Sequence, residues 1–290
     1  MRFKSAIRSA VTTCSGAWFG RAGQPRRVVF CYHSIHPSKP YASATPEAFA
    51  LQLDWLSAAC EIVPFTDIAL PRAAGSKPAV AITFDDGYAD NHEHALPILA
   101  RHGATATFFL TAGLVARDSA VVGHFARDRR CSSDDIASLS WEQVRDLHAA
   151  GMTIGAHTWS HANLAHLSQG DTTRELVESK RVIEEHLGVP VTSMAYPYGK
   201  RDRHFTSETM RAVSDAGYET AASVLFRGVT DVDDRRAIPR FFVNGADDLR
   251  SVQAKVRGDW DAIGWWQETS PLWAAKLISP SDFSSEAVRA

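Results

Sequence analysis

The sequence lacks any hydrophobic run long enough to cross a membrane. A membrane-spanning helix needs about 20 mainly apolar residues, and no stretch of the 290 residues approaches that length. An excess of charge of either sign is also lacking, because 31 basic residues stand against 33 acidic residues. Such a balance favours neither nucleic acid nor a polyanionic substrate, so we predict no nucleic-acid partner.

Cysteine is scarce as well. The four cysteines, Cys14, Cys31, Cys60 and Cys131, show no paired spacing, and Cys31 and Cys60 stand among apolar residues. This placement is typical of reduced thiols in a hydrophobic core. The sequence therefore argues against a small fold held together by disulfides.

The composition is that of a soluble globular protein, with 45% hydrophobic and 22% charged residues. Apolar strand-like runs alternate with helical patterns, which predicts a parallel barrel with helices outside it. The predicted strands are 28–32, 79–84, 105–110, 153–156, 193–196, 220–224 and 238–243. The predicted helices are 46–59, 91–102, 141–150, 172–187, 207–216 and 247–256.

We expect one catalytic domain at 26–258, between two segments of different character. Residues 1–25 are weakly apolar but interrupted by small polar residues, which makes a poor signal-peptide core. We therefore expect a cytoplasmic or membrane-peripheral protein, with a secreted or periplasmic form as the alternative. Residues 259–290 form a tryptophan-rich extension and tail. The polar segment 117–138 predicts a surface loop, or else a lid over substrate.

Two carboxylates follow the apolar run 79–84. The run predicts a buried strand, and Asp85 and Asp86 stand at its end before Gly87, which lets the backbone turn. One carboxylate can bind a metal while the other takes up a proton. Taken alone, Asp-Asp-Gly is also ordinary turn chemistry.

A pair of histidines, His157 and His161, follows about 70 residues later. On a helical turn, residues four apart share one face, so both imidazoles could bind one ion. One Asp with two His leaves coordination positions open, as in a catalytic metal site. With 12 histidines in the chain, a chance pair on a solvated helix is the alternative.

A third motif, Ala195 to Gly199, completes an ordered set with the first two. With these motifs the chain resembles the polysaccharide deacetylases of carbohydrate esterase family 4, which include chitin, peptidoglycan and nodulation-factor deacetylases. The resemblance also covers 29–33, 49–56, 91–99, 103–109 and 238–241. It implies an α/β fold, a distorted (β/α) barrel with about seven parallel strands and its site at the strands' C-terminal ends.

The resemblance implies a role for each motif residue. Asp86, His157 and His161 would hold a divalent metal, most simply Zn²⁺, although nitrogen and oxygen donors also accept Co²⁺ or Ni²⁺. Asp85 would be the catalytic base, and the backbone N–H of Tyr198 would stabilise the oxyanion.

Two family residues are missing from this chain. Ala195 stands where the family commonly has an Arg that orients the catalytic Asp, and 237–240 lacks the family's Leu-x-His, whose imidazole protonates the leaving amine. We expect Arg240 to orient Asp85 and His33, which ends the first strand, to be the proton donor. The alternatives are a surface Arg and a buried structural His.

The predicted function is a metal-dependent hydrolase that removes N-acetyl groups from amino sugars of a polysaccharide, oligosaccharide or glycolipid intermediate. Its partner would be an N-acetylated glycan. A hydrolase of a small non-sugar amide on the same fold and a catalytically degenerate carbohydrate-binding barrel are the alternatives. Peripheral membrane association is a further expectation.

Overall fold

The computed structural model describes residues 25–39, 41–70, 72–73 and 76–269. The expectations for the N-terminal segment 1–24, and for the tail from 270 onwards, lie outside the described residues. Within the described ranges, no helix combines the length and the apolar character needed to span a membrane.

Parallel strands form the centre of the molecule. In chain order they are β1 (Arg27–Tyr32), β2 (Glu61–Ile62), β3 (Ala79–Phe84), β4 (Thr107–Leu110), β5 (Thr153–Ala156), β6 (Ser193–Ala195), β7 (Thr220–Ala222) and β8 (Phe241–Phe242). Seven of them lie in the order β7-β6-β5-β4-β3-β1-β8, and the short β2 pairs with β3. The seven strands correspond to the seven predicted from the sequence, and several are shorter than predicted.

The two ends of this strand order meet. Phe241 of β8 pairs with Phe30 of β1, while Ile238, just before β8, forms a parallel bridge with Ala222 of β7. The Ser223 N–H donates to the Ile238 carbonyl at 2.8 Å. The sheet therefore curls into a distorted barrel, and the predicted fold class is confirmed.

Helices follow the strands. They are α1 (Pro46–Ala59), α2 (Leu96–Arg101), α3 (Ala112–Val115), α4 (Ser119–Arg129), α5 (Trp141–Ala149), α6 (Gln169–Leu187), α7 (Ser207–Asp215), α8 (Leu249–Arg257) and α9 (Asp261–Thr269). A π-helical turn, Asn91–Ala95, leads into α2. Local sequence sets several of the ends: Ser140 and Gln143 cap α5 reciprocally, and Gly188 ends α6 in a left-handed conformation.

The helix α4 contradicts the prediction of a loop at 117–138. Its first turn is capped by Asp118, whose carboxylate accepts from the backbone N–H groups of Ala120 and Val121. Val121, Phe125 and Ala126 are buried on one face. The helix was missed because this narrow apolar stripe is surrounded by charged residues that dominate the composition of the segment.

Alternation along the strands places one set of side chains inside the barrel. Val29, Ala81, Ala195, Ala222 and Ile238 belong to one buried cluster, which also contains the larger Phe109. A larger cluster fills the space between the strands and the helices. Because successive strand residues point to opposite faces, continuing the inward series leads from Ala81 through Thr83 to Asp85, and from Ile238 to Arg240.

The start of the C-terminal extension packs onto this barrel. Trp260 and Ile263 are buried with the main core cluster and so cover part of the barrel. Asp261 forms a salt bridge of 2.9 Å with Arg26, which precedes β1. The part of the extension beyond 269 lies outside the described residues.

Candidate metal centre and active site

A left-handed turn at the end of β3 presents two carboxylates. Asp86 has φ 74° and Gly87 has φ 83°, a conformation that costs a non-glycine residue free energy and is held by its surroundings. The Thr111 N–H donates to the Asp86 carbonyl at 3.4 Å. The turn breaks strand alternation, so Asp85 and Asp86 both reach the same edge of the barrel.

The two predicted histidines lie on a loop after β5, and the helical turn assumed for them is wrong. Thr158 has φ 64° and His161 has φ 60°, so the backbone is left-handed at both positions. The His161 N–H donates to Oγ1 of Thr158 at 3.1 Å. This turn, and not helical periodicity, brings the two imidazoles together with ring centroids 5.0 Å apart.

Glu175 of α6 stabilises the loop that carries His157 and His161. Its Oε2 accepts from the backbone N–H groups of Trp159 at 2.9 Å and Ser160 at 2.8 Å, and its Oε1 accepts from the Ser160 hydroxyl at 2.6 Å. Charge-assisted bonds of this kind are stronger than neutral ones. Glu175 was not predicted from the sequence, since one acidic residue on a helix carries no signal of this contact.

Asp86, His157 and His161 converge on one point. Oδ1 of Asp86 lies 3.6 Å from Nε2 of His157 and 3.4 Å from Nε2 of His161. Their side chains are almost completely buried, with 1%, 1% and 4% exposed, respectively. This Oδ1 is buried without a hydrogen-bond partner in the part of the chain that the structure describes, which is unusual unless another group satisfies it.

The protonation states at this point also suit a cation. Nδ1 of His157 lies 2.8 Å from the Ala195 carbonyl, which can only accept, so Nδ1 carries the hydrogen and Nε2 presents its lone pair. Burial lowers the pKa of His161 to about 3, which keeps that imidazole neutral at neutral pH. Two imidazole nitrogens and one carboxylate oxygen fit a divalent cation such as Zn²⁺.

Asp85 and Arg240 form a buried two-bond ion pair beside this cluster. Nη1 and Nη2 of Arg240 donate to Oδ1 and Oδ2 of Asp85, each at 2.7 Å. Arg240 is 0% exposed, so the alternative of a surface arginine is excluded. Burial raises the pKa of Asp85, but the Arg240 charge and hydrogen bonds, with His157, hold it well below its usual value.

His33 lies on the cavity wall near both carboxylates. Its Nε2 is 4.0 Å from Oδ2 of Asp86, and its ring meets Phe242 edge-on at 5.2 Å. Its Nδ1 is buried without a hydrogen-bond partner within the described ranges. Burial lowers the pKa of His33, partly offset by the two aspartates, so the ring is neutral at neutral pH.

Tyr198 occupies a constrained turn after β6. It has φ 60°, and Gly199 follows with φ 66°. A Cβ on Gly199 would lie 2.6 Å from Cγ2 and 2.7 Å from the backbone N of Val224, so only glycine fits there. The Tyr198 ring stands edge-on to His161 at 4.7 Å. The turn is therefore fixed against both the neighbouring segment and the candidate metal centre.

These groups surround an open cavity of about 400 Å³. His33, Asp85, His157 and His161 line one part of it, and the apolar side chains of Val224, Phe226 and Phe242 line another. The cavity is thus a polar reaction centre with an apolar wall beside it, at the end of the barrel where the strands finish.

A model of the polysaccharide deacetylase family matches residues 72–221, which is more than half of the chain. This chain belongs to the polysaccharide deacetylase family. The matched region contains both carboxylates, both histidines and the Tyr198 turn, whereas His33 and Arg240 lie outside it.

Curated relatives resemble this deacetylase family member at moderate identity. YxkH of Bacillus subtilis is 26% identical over 71% of this chain and 67% of its own length. The chitooligosaccharide deacetylase of Sinorhizobium fredii is 29% identical over 45% of this chain, which spans 51% of that relative. The poly-beta-1,6-N-acetyl-D-glucosamine N-deacetylase of Staphylococcus aureus is 22% identical over 74% of this chain and 72% of its own length.

Solved structures share the fold of this deacetylase family member. The Streptococcus pyogenes deacetylase PplD superposes with a TM-score of 0.67 and 20% identity, over 80% of this chain and 99% of PplD. IcaB from Ammonifex degensii superposes with a TM-score of 0.64 and 24% identity, over 82% of this chain and 99% of IcaB. At these identities the likeness establishes the barrel architecture.

One contact in this deacetylase family member was not predicted from the sequence: α4 places an arginine against a proposed metal ligand. Nη2 of Arg129 donates to Oδ2 of Asp86 at 2.7 Å. The apolar spacing of Val121, Phe125 and Ala126 could have revealed the helix. The contact itself could not be predicted, because Arg127, Asp128, Arg129 and Arg130 are equally polar in the sequence.

Proposed function

We propose that the protein is a metal-dependent hydrolase that removes N-acetyl groups from amino sugars of a polysaccharide, oligosaccharide or glycolipid intermediate. One observation carries the proposal. Within the described ranges, one carboxylate oxygen of Asp86 has no hydrogen-bond partner and faces two imidazoles, while the adjacent carboxylate of Asp85 is held separately by Arg240. Asp86 is thus available to bind a metal ion and Asp85 to take up a proton, and amide hydrolysis needs both tasks to be performed by different groups.

The residues present assign the metal ligands to Asp86, His157 and His161. When bound, a divalent ion polarises the amide carbonyl and lowers the pKa of water, which supplies a nucleophile at neutral pH. Zn²⁺ suits the donor set, and Co²⁺ or Ni²⁺ would also be accepted.

Asp85 is the proposed general base. The low pKa of Asp85 keeps it ionised, and the two bonds from Arg240 fix the plane of its carboxylate. Arg240 is in turn held by the Ser223 carbonyl at 3.1 Å and the Thr83 hydroxyl at 3.0 Å. In this way Arg240 would take the orienting role that Ala195 cannot perform.

The proton donor proposed for the leaving amine is His33. Because the ring is neutral at neutral pH, it would first take up the proton that Asp85 removes from the attacking water and then pass it on. The backbone N–H of Tyr198 is the proposed oxyanion donor, since the rigid turn through Gly199 would aim it. The apolar wall of the cavity suits the acetyl methyl group.

The names of two relatives support a glycan substrate, because one is a chitooligosaccharide deacetylase and another acts on a polymer of N-acetylglucosamine. The test is acetate release from N-acetylglucosamine oligomers, acetylated exopolysaccharides and small non-sugar amides, with chelator and with added Zn²⁺ or Co²⁺. We expect release from amino-sugar substrates, its loss with chelator and its recovery with metal.

Metal analysis of purified variants completes the test. His157→Ala should lose both bound metal and activity, whereas His166→Ala, which changes an exposed histidine after the same loop, should keep both. Release from small amides alone would favour the non-sugar alternative. Wild-type metal content in His157→Ala would contradict the metal assignment.

A further inference from the structure

The last turn of α4 lies directly against the candidate metal centre. Phe125 meets the His161 ring edge-on at 5.4 Å, and Oδ2 of Asp128 accepts from the Tyr198 hydroxyl at 3.2 Å. Arg129 donates to Asp86. One short stretch of helix thus contacts two proposed metal ligands and the proposed oxyanion turn.

The two oxygens of Asp86 have different surroundings. Oδ2 accepts the hydrogen bond from Arg129 at 2.7 Å, whereas Oδ1 faces the two histidines and has no hydrogen-bond partner among the described residues. Only 1% of the Asp86 side chain is exposed, so water cannot replace either contact freely. The Arg129 guanidinium therefore binds Oδ2 and leaves Oδ1 available to bind a metal ion.

Arg129 is itself fixed in orientation. Its guanidinium lies over the Phe125 ring, with the central carbon 4.8 Å from the ring centroid, a cation–π contact that favours a planar guanidinium. The Arg129 side chain remains 31% exposed and lines the cavity. The Phe125 that supports Arg129 also touches His161, so the position of the arginine is tied to that of a second proposed ligand.

We propose that Arg129 is a positioning residue that makes Asp86 a single-oxygen metal ligand. The inference rests on the proposed metal-dependent function. A carboxylate that bound through both oxygens would fill a coordination position that a catalytic site keeps open for water and substrate. By holding Oδ2, Arg129 preserves that open position, which is the task of groups that orient metal ligands from outside the coordination sphere.

The test uses Co²⁺ as the probe, because its visible absorption weakens when its coordination number rises. The variants are Arg129→Ala and Arg129→Lys, and Arg127→Ala is the matched control, since Arg127 is an exposed arginine of the same helix. Each protein is loaded with Co²⁺ to one equivalent, its folding is checked by circular dichroism, and its absorption spectrum and Co²⁺ affinity against a competing chelator are recorded.

In Arg129→Ala we expect Asp86 to bind through both oxygens, so the Co²⁺ absorption should fall several-fold, and the Co²⁺ affinity should fall by about 10- to 100-fold as the ligand loses its orienting group. Arg129→Lys retains a donor for Oδ2 and should recover much of the wild-type spectrum. Arg127→Ala should match the wild type. A wild-type spectrum in both Arg129 variants would overturn the inference while leaving the metal site intact. Wild-type protein that binds no Co²⁺, or His157→Ala that binds it equally well, would overturn the proposed function and this inference together.

Discussion

Arg240 donates two parallel hydrogen bonds of 2.7 Å to Asp85, although the two residues are separated by 155 positions in the sequence. Both side chains are buried, at 0% and 4% exposed. A buried charge is tolerated only when it is paired and hydrogen-bonded, so each residue requires the other. The pair joins the residue that precedes β8 to the residue that follows β3.

Replacing Arg240 with Lys should reduce kcat by about 100-fold or more, because a single ammonium cannot fix the plane of the carboxylate and small misplacements of a catalytic group are costly. Steady-state kinetics on an N-acetylated oligomer would measure this loss. Arg236→Lys is the control, since Arg236 is 39% exposed and pairs with Asp234 away from the cavity. An Arg240→Lys enzyme with wild-type kcat would contradict the orienting role.

Substitutions of the two adjacent aspartates should have different effects on metal binding and on turnover. Asp85→Asn should keep the bound metal and lose on the order of 100-fold or more in turnover, because the amide cannot take up the proton. Asp86→Asn should lose metal affinity first. Metal content and kcat measured on both variants give the comparison. If Asp85→Asn lost metal as readily as Asp86→Asn, the division of roles between them would be wrong.

Removing the support of the histidine loop should weaken metal binding without removing a ligand. In Glu175→Gln, the side-chain amide keeps only one acceptor oxygen for the three donors that Glu175 now binds. We expect metal affinity to fall by about 10- to 100-fold. Glu178→Gln is the matched control, because Glu178 lies one turn further along α6 and bonds to the exposed Arg181. Equal affinities in the two variants would show that Glu175 does not position the loop.

The contrast between Glu175 and the ligands shows what the sequence can predict. The strands were predictable because apolar runs ending in Gly or polar motifs have a strong local signal. The role of Arg240 was proposed because Ala195 replaces the family's Arg and Arg240 lies in a predicted strand. Glu175 and Arg129 act through contacts between elements. Their positions depend on how α6 and α4 pack, for example on Phe125 against Arg129 and His161.

Backbone conformation was the other limit. Among the described residues, Asp86, Thr158, His161 and Tyr198 all have positive φ. A left-handed backbone at Asp, Thr, His or Tyr cannot be predicted from the residue type. It is imposed by tertiary contacts such as those of Gly199 with Val224. For that reason the histidine pair was correctly placed with Asp86 but assigned to the wrong local structure.

Acidification should destabilise the turn that follows Tyr198. Nδ1 of His204 accepts from the Lys200 backbone N–H at 3.1 Å, which requires that nitrogen to be unprotonated. Burial, with the nearby charges of Lys200 and Arg203, lowers the pKa of His204 to about 4 from an ordinary 6.5. Between about pH 4 and pH 6.5 the unfolded chain binds a proton at His204 and the folded chain does not. The contribution of neutral His204 to the free energy of unfolding is therefore complete above about pH 6.5 and is lost as pH falls towards 4.

The free energy of unfolding, measured by urea titration across this pH range, should therefore depend less steeply on pH in His204→Gln than in the wild type. His124→Gln, which replaces an exposed histidine on α4, serves as the control. The same steepness in His204→Gln as in the wild type would show that His204 remains free to protonate in the folded protein.

The role of His33 can be separated from simple packing by the choice of leaving group. An amine leaving group needs a proton, whereas the leaving group of an activated acetate ester does not. His33→Ala should therefore depress kcat on an N-acetylated oligomer far more than on the ester, provided that metal content is unchanged. His36→Ala is the control, because His36 lies in the following loop, where its Nδ1 accepts from the backbone of Ser38 and Lys39. His33 Nε2, in contrast, stands 4.0 Å from Asp86 on the cavity wall. Equal losses on the two substrates would assign His33 a structural role and leave proton delivery to water.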